Sequence, residues 1–494
     1  MKKIIVALTT FIILSCQNSN ENRKPEFKKI TNLIDKYAKE TLQKNNINTI
    51  ALSVYKNDNY YQNYYGEIDK NVGNTPNDST LFEIASISKV FLGSLVAKAV
   101  LENKITLNDD IRKYLKGDYS NLEYKGTPIV IKNLLTHTLG FETKNPKGLQ
   151  EFNKKVRSGY YEKNDEAYDY NIDDFLQELK SSKLDKKPGD FYEYNSVGPE
   201  LLAYILEQVY DESYESLLNK FFTRLNMKNT YLNDYSKIRN HIANSYKGDT
   251  LMPLERNSLL GGTAGIVTTL PDLSKFMKFQ LDNNDPLIEE STKKIFNNND
   301  GDQLGYLWEV GEAEEEGFYY TKTGTSGGVQ SVILICPDSN YGLILIVNNT
   351  SEKAFNDWVN LYYSIEEELI KYPKVNLVAL LEKELLTNTK ESIIEYKKLI
   401  SKDNLYYTNA TDLNNLGYQL LKDEKNNEAI EIFKLLVSEF SNNFNAYDSL
   451  GEAYFRNKDY KNAIINYKKS LELNSNNTNA KEYIQKINEI ESKS

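Results

Sequence analysis

Apolar residues change their spacing along this chain, and each spacing predicts a different kind of element. Between residues 27 and 44 they recur every three or four positions, which is typical of an amphipathic helix. Two strand-like runs follow, at 47–55 and 60–65, and they flank the turn residues 56–59. This arrangement predicts an antiparallel hairpin near the start of the folded region.

A second strand-rich region lies much later in the sequence. Residues 86–281 between the two regions have a mainly helical pattern. Strand patterns return at residues 318–323, 331–336 and 342–347. A helix over residues 354–371 then closes this part of the chain. We therefore expect an α+β fold, in which hairpin and meander form one antiparallel sheet with flanking helices and an all-helical insertion.

The last 86 positions, residues 409–494, carry a different, repeating pattern. Three pairs of positions recur with an offset of 34 residues: Gly417 with Gly451, Ala429 with Ala463 and Phe433 with Tyr467. This period and these residue types resemble tetratricopeptide repeats, so we expect an all-α tail with a capping helix. Residues 373–408 then read as a helical connector or a degenerate repeat. The tail is either a structural extension or a groove for a peptide or protein partner.

The N-terminus has the layout of an export signal. Lys2 and Lys3 precede an apolar run over residues 4–14, which is shorter than the roughly 20 residues needed to span a bilayer. Ser15-Cys16 completes a segment that resembles a bacterial lipobox. We expect residues 1–16 to be a lipoprotein signal peptide, with lipid attached at Cys16, and 17–26 to be a polar tether. An ordinary signal peptide with an incidental cysteine is the alternative.

Export and lipidation would place the protein in the bacterial cell envelope, facing the periplasm or the surface. The composition of the chain also limits the ligands, disulfides and cofactors that we expect. A formal net charge of −10 disfavours binding to nucleic acid, which depends on clustered Lys and Arg. Cys16 and Cys336 are the two cysteines, so no internal disulfide is expected once Cys16 carries lipid. Two histidines and no acidic or cysteine cluster at ligand spacing predict neither a metal site nor another cofactor.

The main candidate for chemistry is Ser86, which precedes Lys89 by three positions at a predicted helix start. Residues three apart meet on one helix face, and a buried lysine with a lowered pKa can accept the proton of a serine hydroxyl. The spacing alone is weak evidence, because Ser291 and Lys294 share it. On this motif by itself, a helix cap is the better interpretation of Ser86.

Two further motifs change this interpretation. Lys322-Thr323-Gly324 lies on a predicted strand of the meander, and Tyr194 follows a Pro-Gly pair in the helical middle. The order Ser-x-x-Lys, Tyr, Lys-Thr-Gly resembles the class C β-lactamases and D-alanyl-D-alanine carboxypeptidases. The resemblance covers residues 27–372, which we expect to form one hydrolase domain.

The resemblance implies a role for each motif residue. Ser86 would be the nucleophile, with Lys89 and Tyr194 moving protons. Lys322, Thr323 and Gly324 would bind a substrate carboxylate and let backbone approach the acyl group, and the amides of Ser86 and Thr325 would form an oxyanion hole. The family usually has Asn two places after the tyrosine. Here Ser196 stands at that position and Asn195 precedes it, so either Asn195 reaches the substrate and Lys89 from a shifted backbone or Ser196 substitutes poorly for the usual Asn. His137 supports the fold in that family.

We therefore expect a serine hydrolase that forms an acyl-serine on a carboxylate-bearing amide or ester, such as a D-alanyl peptide or a β-lactam. Its partner would be a small or peptidoglycan-like substrate. One alternative is an esterase or amidase acting on small D-configured molecules. The other is a non-catalytic protein that binds peptidoglycan or a partner through its tail.

Overall fold

A computed structural model describes residues 25–160, 168–232, 238–254, 259–282, 284–297, 301, 303–402 and 405–492. The predicted signal peptide with Cys16, and all of the tether except residues 25 and 26, lie outside the described residues and stay predictions. Contacts divide the chain into two units. One comprises Leu33–Lys371, and the other Tyr372–Ser494 together with the first described residues, up to Asn32.

The strands of the larger unit agree with the two strand-rich regions of the sequence, with short additional strands between them. Their bounds are β1 Thr49–Lys56, β2 Asn59–Gly66, β3 Leu81–Glu83, β4 Glu123–Tyr124, β5 Thr127–Pro128, β6 Thr230–Tyr231, β7 Ser245–Lys247, β8 Thr250–Met252, β9 Val267–Thr269, β10 Phe296–Asn297, β11 Gln303–Leu304, β12 Glu309–Ala313, β13 Gly317–Thr325, β14 Gln330–Cys336 and β15 Tyr341–Val347.

The main sheet joins the early hairpin to the late meander, as predicted. Its strand order in the described chain is β10-β11-β12-β13-β14-β15-β1-β2, and neighbouring strands are antiparallel. Asn57 and Asp58 turn the hairpin with φ values of 47° and 65°. Asn and Asp tolerate this left-handed conformation better than other side chains, which explains the tight connection.

Helices surround this sheet and form most of the insertion. Their bounds in the larger unit are α1 Pro25–Gln43, which begins in the smaller unit, α2 Ser88–Leu101, α3 Ile131–Leu135, α4 Lys147–Ser158, α5 Ile172–Leu179, α6 Val197–Tyr210, α7 Tyr214–Arg224, α8 Leu270–Gln280, α9 Pro286–Thr292 and α10 Glu352–Lys371. The prediction of an all-helical insertion over residues 86–281 is wrong, because this segment also contains β4 to β9. These strands have two or three residues each, too few to show an alternating pattern.

Helices cover both faces of the central strands. Every residue of β1, β14 and β15 is buried, which accounts for the continuous apolar runs of the last two. On one face Ser274 of α8 hydrogen-bonds Ser53 of β1 at 2.8 Å. On the other, Tyr65 of β2 donates to Asp35 of α1 at 2.5 Å. Since both faces are covered, the sheet is a rigid support for the side chains that its strands carry.

The smaller unit is helical, apart from the short parallel pair β16 Val375–Asn376 and β17 Tyr406–Tyr407. Its helices are α11 Leu377–Thr387, α12 Thr389–Lys402, α13 Ala410–Lys422, α14 Asn426–Glu439, α15 Phe444–Arg456, α16 Tyr460–Leu473 and α17 Thr478–Glu491. The repeat positions meet as predicted: a Cβ at Gly417 would lie 2.4 Å from the Phe433 ring, and one at Gly451 would lie 3.0 Å from the Tyr467 ring. The glycines therefore let paired helices approach closely.

Candidate active site

Ser86 lies in a short turn that connects β3 to α2. The turn, Ala85–Ile87, is a 3₁₀ helix, and α2 begins at Ser88. Ala85 has a φ of 45°, a left-handed conformation that is uncommon for a residue with a side chain. Ser86 is half-buried, whereas the residues on both sides of it are buried. The turn thus presents the Ser86 hydroxyl at the surface of a densely packed core.

Lys89 lies below Ser86 in the first turn of α2, as the spacing predicts. Its side chain is buried, with 1% of its surface exposed, and its Nζ donates to Ser86 Oγ at 3.1 Å. The same ammonium donates to the Thr263 carbonyl oxygen at 2.5 Å. Burial lowers the pKa of Lys89, because a buried ammonium is poorly solvated. A lysine in this environment releases its proton more readily than one in water, and the neutral amine can then take the proton of Ser86.

Tyr194 contacts Ser86 from the loop before α6. Its hydroxyl donates to Ser86 Oγ at 2.9 Å, and the ammonium groups of Lys89 and Lys322 lie 5.1 and 5.2 Å from the centre of its ring. Burial acts to raise the pKa of Tyr194, but the two positive charges and the hydrogen bonds with Lys89 and Ser86 together outweigh it and bring the pKa to about 8. The phenolate is therefore accessible near neutral pH, and Tyr194 can exchange a proton with Ser86.

His137 fixes the position of Tyr194 through hydrogen bonds to the neighbouring backbone and through ring packing. The amide of Glu193 donates to the His137 carbonyl at 2.9 Å, and the amide of Asn195 donates to His137 Nδ1 at 3.4 Å. The rings of His137 and Tyr194 pack with centroids 4.5 Å apart. Burial lowers the pKa of His137 well below its usual value, and the charges of Lys322 and Lys89 lower it further. His137 is thus a neutral acceptor that fixes both neighbours of Tyr194 in the chain.

Strand β13 places Gly324 beside Ser86 and Lys322 beside Tyr194. A Cβ at Gly324 would lie 2.3 Å from the Ile84 carbonyl oxygen and 3.2 Å from the Ser86 amide nitrogen, so the strand runs against the Ser86 turn. Glycine is needed there for this close approach. Thr323 and Thr325 alternate with these two residues and are exposed on the opposite face of the strand.

Lys322 is buried but not free. Its Nζ lies 2.9 Å from Oε1 of Glu309, which is on the neighbouring strand β12. Burial acts to lower the pKa of Lys322, but the charge and hydrogen bond of Glu309, together with Tyr194 and Tyr192, outweigh burial and raise it. Lys322 is therefore a charged ammonium, as a carboxylate-binding residue must be, but it already has a carboxylate partner within the chain.

The reversed pair Asn195-Ser196 stands at the start of α6. The Asn195 side chain accepts a hydrogen bond from the Gly198 amide at 2.9 Å and donates to the Glu193 carbonyl at 2.8 Å. It therefore caps the helix and fixes the loop. The Ser196 amide donates to Oδ1 of Asn145 at 2.9 Å. Neither side chain bonds to Lys89 or Ser86 in the described structure, so their contact with a substrate stays a prediction.

Glu200 and Thr263, which are outside the predicted set of site residues, support Lys89. Glu200 on α6 is fully buried, and its carboxylate accepts from the amides of Thr263 at 3.0 Å and Leu260 at 3.1 Å. Burial raises the pKa of Glu200, and these amide hydrogen bonds oppose that effect. Glu200 thereby positions the loop whose Thr263 carbonyl binds Lys89. An acidic residue directly before the apolar Leu201-Leu202 of a predicted helix was the available signal.

With the serine, lysine and tyrosine assembled, comparison with known proteins identifies the larger unit. The β-lactamase family model matches residues 34–361. The chain belongs to the β-lactamase family. A tetratricopeptide repeat model matches residues 444–477, in the helical tail. Both resemblances expected from the sequence are confirmed, and the relatives in this family are serine hydrolases.

Curated relatives of this family resemble the chain at low identity. Protein flp of Staphylococcus aureus (strain N315) is 27% identical over 333 residues, which cover 65% of this chain and 63% of that protein. The D-alanyl-D-alanine-carboxypeptidase/endopeptidase AmpH of Escherichia coli (strain K12) is 25% identical over 359 residues, which cover 68% of this chain and 89% of that protein. The chain thus spans less than two thirds of the length of the flp proteins.

Solved structures show the same fold. A β-lactamase/D-alanine carboxypeptidase from Yersinia pestis, complexed with citrate, matches with a TM-score of 0.59 and 23% identity, covering 69% of this chain and 98% of that one. A class C β-lactamase in complex with cefoxitin matches with a TM-score of 0.58 and 21% identity, covering 69% and 99%. In the described part of the chain, no helix is long and apolar enough to cross a membrane.

Proposed function

We propose that this β-lactamase family member is a serine hydrolase that works through an acyl ester on Ser86. One observation carries the proposal: Ser86 Oγ lies within hydrogen-bond distance of both Lys89 Nζ, at 3.1 Å, and Tyr194 OH, at 2.9 Å. Both partners have lowered pKa values, so either can take the serine proton once it has lost its own.

The reaction follows from these contacts. Ser86 Oγ attacks the substrate carbonyl while its proton passes to Tyr194 or Lys89, and the carbonyl oxygen becomes an oxyanion beside the amides of Ser86 and Thr325. The same proton then goes to the leaving nitrogen or oxygen as the bond to it breaks, leaving acyl-Ser86. Water attacks this ester, gives one proton to the same pair of residues, and releases the carboxylic acid and the free serine.

The substrate class we propose is an amide or ester that carries a carboxylate, of the D-alanyl peptide or β-lactam type. Lys322 supports this choice, because it is a buried ammonium that lies 5.2 Å from the ring of Tyr194. Its pairing with Glu309 favours a second candidate, the hydrolysis of small neutral esters. An ester without a carboxylate would not have to compete with Glu309 for Lys322.

The test is to measure the intact mass of the protein, prepared without its predicted signal peptide, after incubation with benzylpenicillin. We expect an adduct on the wild type that is absent from Ser86→Ala. Ser291→Ala is the matched control, since Ser291 begins another Ser-x-x-Lys sequence and its hydroxyl donates to the Ile288 carbonyl inside the fold. This variant should keep the adduct.

If no adduct forms, the amount of benzylpenicillin that remains in solution distinguishes between the two candidate functions. Loss of the antibiotic with wild type but not with Ser86→Ala would show rapid deacylation and support the proposal. If benzylpenicillin is untouched, hydrolysis of p-nitrophenyl acetate by wild type alone would support the ester candidate. No Ser86-dependent reaction with either compound would overturn both and leave the binding protein as the remaining function.

A further inference from the structure

The ion pair between Lys322 and Glu309 places a carboxylate of the protein where a substrate carboxylate is expected. Glu309 Oε1 lies 2.9 Å from Lys322 Nζ. The two residues are on adjacent antiparallel strands, with Glu309 opposite Thr321 in the register. The ammonium that Glu309 binds lies in turn 5.2 Å from the centre of the Tyr194 ring. The pair is therefore part of the wall of the Ser86 site.

We infer that Glu309 is a specificity-determining residue: it occupies Lys322 as a built-in carboxylate, which a substrate carboxylate has to displace before it can bind there. The inference rests on the proposed function and refines its substrate class. Since the pair is electrically neutral, Lys322 offers an incoming anion little net attraction, and a second carboxylate beside Glu309 meets a like charge. The site therefore binds anionic acyl donors less tightly than its Lys-Thr-Gly sequence suggests.

Burial indicates which member of the pair can move. The Lys322 side chain is 5% exposed, whereas the Glu309 side chain is 42% exposed. The Lys322 ammonium lies 5.2 Å from the centre of the Tyr194 ring, so a movement of Lys322 would disturb the site. Glu309 makes one ion pair in the described structure and can turn its carboxylate into water, where a charge is well solvated. Displacement thus means that Glu309 leaves and Lys322 stays.

A purely structural role is the competing explanation. A buried ammonium without a partner is costly, and Glu309 could simply satisfy Lys322. The two explanations predict opposite effects of Glu309→Gln, a change that keeps the shape and one acceptor oxygen but removes the charge. If Glu309 competes with the substrate, anionic ligands should bind more tightly to the variant. If it only supports Lys322, all ligands should bind less tightly.

The experiment measures competition against hydrolysis of p-nitrophenyl acetate by N-acetyl-D-alanyl-D-alanine and by its C-terminal amide. In Glu309→Gln we expect the inhibition constant of the carboxylate form to fall about tenfold and that of the neutral amide to change less than about twofold. Glu312→Gln is the matched control, because Glu312 is an exposed acid three residues further along β12. It should change neither constant.

Other outcomes would overturn the inference. These are an unchanged or raised constant for the carboxylate form in Glu309→Gln, an equal loss of both ligands, or no carboxylate-dependent binding in any of these proteins. If Glu309→Gln does not fold, Glu309→Asp keeps the charge but shortens its reach, and should lower the carboxylate constant by a smaller factor. If wild type hydrolyses nothing, the proposed function fails, and the same ligands are titrated by calorimetry so that the inference is still decided.

Discussion

At the scale of single residues, the chemistry of the site depends on one oxygen atom. Ser86 Oγ accepts hydrogen bonds from both Lys89 and Tyr194, so an incoming carbonyl meets a serine whose proton has two nearby destinations. The positive charges of Lys89 and Lys322 stabilise the phenolate of Tyr194, and burial favours the neutral form of Lys89. The lysine charges therefore make the Tyr194 phenolate available nearer neutral pH, whereas burial, and not Tyr194, makes neutral Lys89 available.

The pH dependence of the reaction tests this coupling. With a pKa of about 8, Tyr194 is protonated at low pH and becomes a base as the pH rises. The kcat/KM of the wild type should therefore rise as pH increases through about 8. Tyr194→Phe should lose this rise and about 10²–10⁴-fold in rate, the usual value of a general base. Initial rates between pH 6 and 10, on the order of ten points, would measure both.

Tyr192→Phe is the control for that experiment. Tyr192 lies two residues earlier in the same loop, and its ring also packs near His137, with centroids 6.2 Å apart. It should keep the rise near pH 8. A rise that persists in Tyr194→Phe would contradict the assignment and give the titrating group to Lys89, whose pKa is also lowered.

At the scale of elements, the site depends on how closely strand β13 approaches the turn before α2. Ser331 on β14 strengthens this junction, because its hydroxyl donates to the carbonyls of Ile84 and Gly324 at 3.3 and 3.2 Å. Three separate stretches of chain thus meet at the Ser86 turn. Gly324 is the residue at which a side chain would separate them.

Gly324→Ala should therefore damage the site more than the fold. The new methyl group would lie 2.3 Å from a backbone carbonyl, which has no rotamer by which to withdraw, so the strand and the turn must separate. We expect a stability loss of about 1–3 kcal/mol, as for other overpacked positions, together with most of the activity. Urea unfolding and ester hydrolysis measure the two effects.

Gly327→Ala provides the comparison in the same segment. A Cβ there would come no closer than 3.3 Å to the end of the flexible Met252 side chain. Stability and activity should change little, because that side chain can move. Equal activity in Gly324→Ala and Gly327→Ala would show that the close approach of β13 is not needed for the reaction.

At the scale of the whole molecule, the chain contains two units with separate hydrophobic cores. The core of the larger unit includes Phe91, Phe276 and Trp308, and that of the smaller unit includes Leu413, Leu416 and Phe433. Every side chain assigned above to the Ser86 site belongs to Leu33–Lys371. A substitution in the tail core should therefore affect the tail and leave hydrolysis of a small substrate unchanged.

Gly417→Ala tests this expectation. Alanine favours a helix over glycine by about 1 kcal/mol, but the methyl group would lie 2.4 Å from the Phe433 ring, which is buried and cannot move aside. Amide exchange in α13 and α14 of the full chain should become faster. Gly451→Ala, where the nearest ring atom is 3.0 Å away, should have a smaller effect. A changed rate of p-nitrophenyl acetate hydrolysis in either variant would contradict the separation.

The sequence by itself determined the parts whose signals are local. Strand-like runs and turn residues predicted the hairpin and the meander, because short apolar runs bounded by turn residues are typical of paired strands. The offset of 34 residues gave the paired helices of the tail. The pairing of Ser86 with Lys89 could also be predicted from a local signal, since a separation of three residues brings side chains together wherever a helix begins. Tyr194 and Lys322 entered through motif order alone.

Tertiary structure alone decided which distant groups complete the site. Thr263 is 174 residues from Lys89 in sequence. Glu200, which fixes the Thr263 loop, is 63 residues from Thr263. Periodicity does not encode such separations, because they depend on how whole helices and loops pack. The same holds for Glu309, which reaches Lys322 only because β12 and β13 pair in this register. Sequence thus specified the reacting groups, and packing specified the charges and carbonyls around them.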